Sequence, residues 1–489
     1  MGHGVSITEQ STGVKPPVSV SPGLPVYVGT APINSVDLTN VNKPKVANTL
    51  AEFEAAFGAL SDDFDSWTLH EAAKAHFSVY SVAPIVCINL LDPENPAHVA
   101  SATGESHQLV KGSVQLQVYG GPDAPLLGIL KASVVVKYAA VAKTLGTDYT
   151  LAFDADGFLV VTRVSTGSIP ADDSVITADF DYLDPSAVTS DDVIGGYSAG
   201  TYTGIEVIEQ VYPALRLVPG FLLAPKYSSI PEVAARLQVK AASIDGSFRA
   251  MALTDLSTDP GDIATYADAP AWKTDNGFTA VDSAPCWPKF KNGSDVYHLS
   301  TIVACIANVT DAAHAGIPFA SPSNKAAIGT SAVLDDGTEV LLTRPQANTL
   351  NDQGIVTVLN GFNGWKLWGN RTGAYPGDTD PKDAFIPIRR MFNWIENTII
   401  LTTDQNVDEP GNRRLIDSVN GTIQSFLNGL VAAQALVAGT IEFRTDENPV
   451  TDLSDGKIRW HVTLTPPSPG QELDFIVEYD PSALSALFT

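Results

Sequence analysis

Cysteine is almost absent from this chain. There are three in 489 residues, Cys87, Cys286 and Cys305, too few and too scattered for a disulfide framework or a zinc site. Each lies in an apolar setting such as Val86-Cys-Ile, so buried, reduced thiols are expected. No apolar run reaches the ~18 residues that would propose a membrane-spanning helix. No cationic stretch followed by an apolar one opens the chain, so no secretory signal is read and assembly in a cytoplasm is expected. The sequons at Asn292, Asn308, Asn370 and Asn420 are then chance matches. Basic residues are also scarce: 29 Lys and Arg stand against 55 Asp and Glu, a net charge of −26. That balance argues against direct contact with nucleic acid and against insertion into an anionic membrane. It suits a soluble particle or a partner with basic patches. Only 17% of residues are charged, so an unusual share of the surface is expected to be uncharged or covered. The hydrophobic fraction of 44% and the length describe a globular chain of two to four domains.

Catalytic signatures are missing too. Eight His are dispersed, with no H-E-x-x-H and no H-x-H, and there is no phosphate-binding G-x-x-x-x-G-K-[ST]. Gly196-Tyr-Ser-Ala-Gly200 fits the G-x-S-x-G nucleophile pattern, but that motif needs a strand before the Ser and a helix after it. Here an Asp-rich loop precedes Ser198 and β-branched residues follow, so a serine hydrolase using Ser198 is only a remote alternative. Asp154-Ala-Asp-Gly157 lacks the third Asp/Asn ligand and the closing Glu of a calcium loop and reads as a hairpin turn. Carboxylate pairs such as Asp62-Asp63 sit in loops where both stay solvated. No enzyme, cofactor or metal is expected.

What is present is a mixed α/β pattern in several parts. Residues 1–25 hold a β-branched stretch, with Val5 and Ile7 on one face, and then a Pro-rich tether. Residues 26–95 open a core domain: strand Val26–Ala31, helix Leu50–Phe57, helix Trp67–Ser78 and a buried strand within Val79–Leu91. Residues 96–203 change to strand-like alternation. Their last part, 165–200, has seven Asp and no Lys or Arg, which describes a small acidic β-domain facing outward. The core resumes over 204–465 with a strand–helix–strand unit: Val218–Ala224, helix Ile230–Ser243 with Val233, Leu237, Val239 and Ile244 near one face, then Phe248–Thr254. A helix over Ser300–Ala315, a long amphipathic helix over Arg413–Val437 and a strand Ile458–Leu464 follow. Residues 466–489 repeat the opening design: a Pro-rich break, then the strand Leu473–Tyr479 with Phe475 and Val477. Tethered strands at both ends suit strand addition to neighbouring subunits. The alternative is that both fold back into their own sheet.

The densest local signal is Gly361-Phe-Asn-Gly-Trp-Lys-Leu-Trp-Gly-Asn-Arg-Thr372, followed by Phe385-Ile-Pro-Ile-Arg-Arg-Met-Phe-Asn-Trp-Ile-Glu396. Three of the seven Trp fall within 30 residues. It reads as a buried aromatic strand, a polar turn tipped by Asn370 and Arg371, and the start of a helix, the kind of surface proteins spend on cores and interfaces. Arg413-Arg414 opens the long helix, where cations oppose the macrodipole. Contact with another chain would explain them, as would intrachain pairs with Glu409 or Asp417.

These blocks resemble the signature of contractile-tail sheath proteins of bacteriophages and phage-like contractile injection systems, including R-type bacteriocins. The resemblance runs along nearly the whole chain, in order: the Pro25-Val-Tyr-Val-Gly-Thr-Ala31 opening, an insert with Gly146-Thr-Asp-Tyr149 and Asp179-Phe-Asp-Tyr-Leu-Asp-Pro185, Pro219-Gly-Phe-Leu-Leu-Ala-Pro225, Trp365–Thr372, Ile388–Ile395 and Asn412–Asp417. It leaves 258–296 and 321–345 unassigned. It implies a core of mixed sheet covered by helices, with the inserted β-domain and two strand arms. It also implies subunits stacked in six-fold helical rings around an inner tail tube, meshed by their arms and contracting to drive the tube through a cell envelope for genome ejection. Val5, Ile7, Phe475 and Val477 would then be arm residues. Trp365, Trp368, Gly369, Asn370, Arg371, Phe392 and Asn393 would be signature core, and Arg389, Arg390, Arg413 and Arg414 candidates for facing the tube. Implied partners are the tube, baseplate and tail terminator proteins, within a virion tail. The alternative within this class is a non-contractile lattice-forming virion or tail protein.

Overall fold

The computed structural model describes residues 20–118 and 126–488, so Val5 and Ile7 lie outside the described residues. At the centre is a six-stranded sheet in the spatial order Ser283–Cys286, Met251–Asp255, Phe221–Leu223, Pro25–Gly29, Ile85–Asn89, Lys45–Ala47. The first five strands run parallel and the last antiparallel. All five parallel strands are buried along their length. Unbroken apolar runs such as Ile85-Val-Cys-Ile need cover on both faces, which is the usual condition of a parallel sheet. Helices Thr68–Ala73, Pro231–Ala242 and Leu299–Ala313 supply packing against it. The three thiols are free and buried within this layer.

Helix Pro231–Ala242 links two neighbouring parallel strands, as its periodicity predicts. Pro231 starts it, where a missing N–H is harmless, and Val233, Leu237 and Ala241 form the buried stripe. Val239 is exposed, contrary to the expectation, because the stripe at i, i+4, i+8 turns position 239 outward. The helix expected over Trp67–Ser78 is α-helical only over Thr68–Ala73 and continues as a π-helical turn, Lys74–Val79. That turn sets His76 against Tyr27 of the central strand, with a hydrogen bond of 2.7 Å between Nε2 and the phenol oxygen. Helix Leu299–Ala313 has no side-chain cap of its own. Two buried carboxylates from other elements serve instead. Asp255, at the end of a sheet strand, accepts from the Ser300 N–H at 2.9 Å, and Glu71 accepts from the His298 N–H at 2.7 Å. Negative charge there also complements the helix dipole.

A second hydrophobic core stands apart from the first. It is built from Leu116, Ile129, Val136, Leu151, Val161, Ile176 and Phe180, among others. Its strands form a sheet of Val99–Gln108, Val175–Leu183, Val135–Tyr138 and Val141–Ala142, and another of Ser113–Gln115, Leu159–Arg163 and Tyr149–Phe153. The Asp154–Gly157 segment is the turn between the last two. Asp154 Oδ1 accepts the N–H groups of Asp156 and Phe158, and Oδ2 accepts from Gln115. The aspartates of 165–200 are largely occupied locally: Asp172 pairs with Arg163, Asp179 with Lys137, and Asp192 caps a short helix. Leu183, Val188 and Val193 already pack in the main core.

The chain ends in helix Arg413–Ala432, capped by Asn412 Oδ1 on the Leu415 N–H at 3.1 Å. A two-stranded sheet of Ala438–Glu442 and His461–Thr465 packs beside it. The strand expected over Leu473–Tyr479 belongs to no sheet, and Phe475 and Val477 are 80% and 89% exposed. A strand is completed by a partner's backbone groups, and among the described residues none pairs with this segment.

Candidate assembly site: the signature turn, its helix and the C-terminal arm

The signature begins as a hairpin. Thr357–Gly361 pairs antiparallel with Gly364–Trp368, and Gly364 takes the left-handed conformation (φ 89°) that closes the turn. Phe362 at the tip is 99% exposed. The expectation of a buried aromatic strand is only half met, since Leu367 is buried but Trp365 and Trp368 are half-buried. Each indole lies on a neighbouring element and donates to it: Trp365 to the Thr330 carbonyl at 3.0 Å, and Trp368 to Asn348 Oδ1 at 3.0 Å. The Arg344 guanidinium lies over the rings of both Trp368 and Phe362.

The turn that follows is fixed by backbone contacts. Gly369 has φ 131°, and a Cβ there would sit 2.9 Å from Val356 Cα. Its N–H donates to Ser323 Oγ, and the Asn370 N–H donates to Asn351 Oδ1. Asn370 is 6% exposed, and its own Oδ1 has no hydrogen-bond partner. Arg371 is not the exposed polar tip that the sequence suggests. Its guanidinium instead lies 3.8 Å and 4.3 Å from the ring centres of Phe385 and Tyr375, a cation–π sandwich. Beneath the turn, the buried Lys273 ammonium donates to the carbonyls of Gln353, Gly373 and Tyr375 at 2.8, 2.6 and 3.1 Å. Burial lowers its pKa to about 8. No motif pointed to Lys273, because its partners are backbone atoms that a sequence does not reveal.

The signature helix is Ile386–Thr403. Arg389 and Arg390 were candidates for facing a tube, and the structure corrects this. Both are buried. Arg390 forms a two-pronged pair with the buried Asp311 of helix Leu299–Ala313 and lies over the Phe221 ring. Arg389 reaches Asp282 at 3.3 Å, Asp383 at 3.1 Å and Glu396 at 3.5 Å. A guanidinium inside a protein needs carboxylates around it, and these arginines rivet the signature helix to the elements packed around it. Asn393 adds two bonds, from Nδ2 to the Ala250 carbonyl and to Asp282, and Phe392 lies beneath the Arg389 guanidinium. Trp394 donates to the Val20 carbonyl at 2.8 Å and meets Phe426 edge-on. Arg413 and Arg414 are exposed. Arg413 makes a loose i, i+4 pair with Asp417 at 3.6 Å, and no ion pair holds Arg414 among the described residues.

Ser198 lies in a hairpin, paired with Thr201, rather than on a strand-to-helix elbow. Among the described residues, no group of His, Cys, Asp or Glu is placed to hold a metal, and no helix is long and apolar enough to cross a membrane.

The comparisons agree with this architecture. No family model matches the chain. The chain is 30% identical over 497 aligned residues to the tail sheath protein of Burkholderia phage BcepMu, an alignment covering 97% of this chain and 96% of that one. A putative prophage major tail sheath protein of Pseudomonas aeruginosa strain UCBPP-PA14 is 27% identical over 292 residues, 58% of this chain and 72% of that protein. Among solved structures, the fold is shared with the sheath of an extracellular contractile injection system, PVC, in its contracted state (TM-score 0.58, 13% identity, 99% and 98% of the two chains). It is shared also with the contracted helical sheath of the anti-feeding prophage (TM-score 0.56, 14% identity, 98% and 99%). With a relative of this identity matched from one end to the other, on a fold that sheath subunits share, the chain belongs to the tail sheath protein family.

Proposed function

We propose that this sheath protein polymerises with itself in six-fold helical rings around an inner tail tube and contracts to drive that tube through a target envelope. The observation that carries the reading is the C-terminal segment. Leu473, Phe475, Ile476, Val477 and Tyr479 are strongly exposed and belong to no sheet, while a two-stranded sheet stands beside helix Arg413–Ala432. One edge of that sheet is partly covered: Gln424 of the helix takes the Gly439 carbonyl and the Ile441 N–H. Strand His461–Thr465 has no comparable cover among the described residues. In this reading it accepts an arm from a neighbouring subunit, through backbone bonds worth about 0.5–1.5 kcal/mol each. Such a joint bends while remaining attached. Two packings differing by a few kcal/mol per subunit would store, over on the order of a hundred subunits, hundreds of kcal/mol.

In the same reading the unit around the second core, within 96–203, faces outward, and residues 1–25 and 466–489 form the arms, Val5 and Ile7 included. Arg413 and Arg414 meet carboxylates of the tube or of a neighbour. Baseplate and terminator proteins cap the polymer, which is built in the host cytoplasm for the virion tail, without direct nucleic-acid contact, membrane insertion or enzymatic activity. The test is negative-stain electron microscopy of the purified chain with its cognate tube protein. Hollow striated cylinders are expected; bare tubes beside unassembled subunits would overturn the proposal.

A further inference from the structure

A cleft of about 700 Å³ opens between the signature turn and the C-terminal tether. Trp368, Gly369 and Asn370 line one side, with Ser323 and Asn351 behind them, and residues 467–472 line the other. The polar groups of the signature wall are mostly engaged: Ser323 Oγ and Asn351 Oδ1 hold the turn's own N–H groups. Asn370 Oδ1 is the exception. It is a buried carbonyl oxygen without a donor, and such an atom carries a free-energy penalty until something donates to it. The tether opposite has the complementary deficit. Pro467 and Pro469 have no N–H to give, so donors become continuous only at Gly470, Gln471 and Glu472. Pro466 is buried and anchors the start of this run, while Gly470, Gln471 and Glu472 are exposed.

We propose that Asn370 is the receptor for the base of the C-terminal arm: in the assembled sheath a backbone N–H from 470–472 donates to Asn370 Oδ1 and docks the tether in the cleft. The inference rests on the sheath reading above and adds to it how the arm is aimed. Docking fixes the direction in which Leu473–Tyr479 leaves the body. Without that bond the direction is not fixed. The signature turn then does more than stabilise the core, because it holds an unsatisfied acceptor where the arm departs.

The experiment is hydrogen–deuterium exchange read by mass spectrometry on the full chain, free and polymerised on its tube. Amides 470–472 are expected to exchange at least tenfold more slowly in the polymer than in the free subunit. Asn370→Ala should abolish that protection, and Asn370→Asp, which keeps an acceptor, should retain it. Gln471→Pro lies outside the core and removes a donor rather than the acceptor. It should reproduce the loss at the neighbouring amides even if Asn370→Ala fails to fold. Polymers whose 470–472 amides exchange as fast as in the free subunit, or whose protection survives Asn370→Ala, overturn the docking proposal and leave the sheath reading standing. A chain that never polymerises on its tube overturns the reading beneath it.

Discussion

Arg389-Arg390 and Arg413-Arg414 are both arginine doublets in the sequence, yet the two pairs do opposite work. The first pair is buried, Arg389 against Asp282 and Asp383 and Arg390 against Asp311, while the second projects from a helix start. Removing one partner of a buried ion pair leaves the other charge uncompensated, at about 3–5 kcal/mol. Arg390→Ala is therefore expected to lower the unfolding free energy of the subunit by about that much, and Arg413→Ala by under about 1 kcal/mol, as read by denaturant titration. Equal effects would show that burial is not what separates the doublets. Gly369→Ala forces a side chain into a φ of 131° against Val356 and should cost about 1–3 kcal/mol in the same assay. The buried imidazoles give a pH signature. Burial pushes His70 and His76 down to about 3 from an ordinary 6.5. Below pH 6.5 the unfolded chain takes up protons that the folded one refuses, so their stabilisation is whole above 6.5 and is lost as pH falls toward 3. Each contributes a slope of about 1.4 kcal/mol per pH unit. Denaturation midpoints that stay flat between pH 6.5 and 4.5 would contradict this.

Among the elements, legibility followed periodicity. Helix Leu50–Phe57 is found at the expected bounds because a Thr49 cap, a buried Phe53/Phe57 face and Gly58 mark both ends. The long helix begins at Arg413 as expected but stops at Ala432 rather than Val437, where the chain turns back toward strand Ala438–Glu442. The π-helical turn at Lys74–Val79 was invisible because nothing in its composition distinguishes it from α-helix; the Tyr27–His76 contact across 49 positions accompanies it. The signature blocks were legible as a unit, but the jobs of their residues were not. Whether an Arg beside aromatics is an interface residue or a buried rivet depends on Asp282 and Asp311, about a hundred positions upstream in the chain. The C-terminal segment is the reverse case: the sequence alternates like a strand over Leu473–Tyr479, and the structure forms no strand there. Truncation after residue 470 should leave unfolding of the body unchanged within about 0.5 kcal/mol and abolish polymers in electron micrographs. Normal cylinders from the truncated chain would remove the arm from the mechanism.

At the scale of the whole molecule, the described residues pack into one large core and two smaller ones. The parallel sheet, its helices and the signature helix share the largest core, with Leu367, Met391 and Ile395 in it, while the strands within 99–183 build one of their own. Excising 99–183 and bridging the gap with a short Gly/Ser turn should leave a chain that still polymerises; aggregation of the remainder would show that the main core needs the insert to fold. The geometry of the join has a consequence for how such chains diversify. Val99 and Leu183, the first and last residues of the paired strands, face each other in one antiparallel ladder. Opposed residues in such a ladder are separated by only about 4.5–5.5 Å. The insert therefore enters and leaves the body at adjacent points, while Leu127 and Leu183 pack in the main core and Asn34 Nδ2 donates to the Ile129 carbonyl. Any foreign domain whose ends lie equally close fits the same mount, so one recombination event could exchange this part of the chain, and an engineer could graft cargo there, while the main core keeps its sequence.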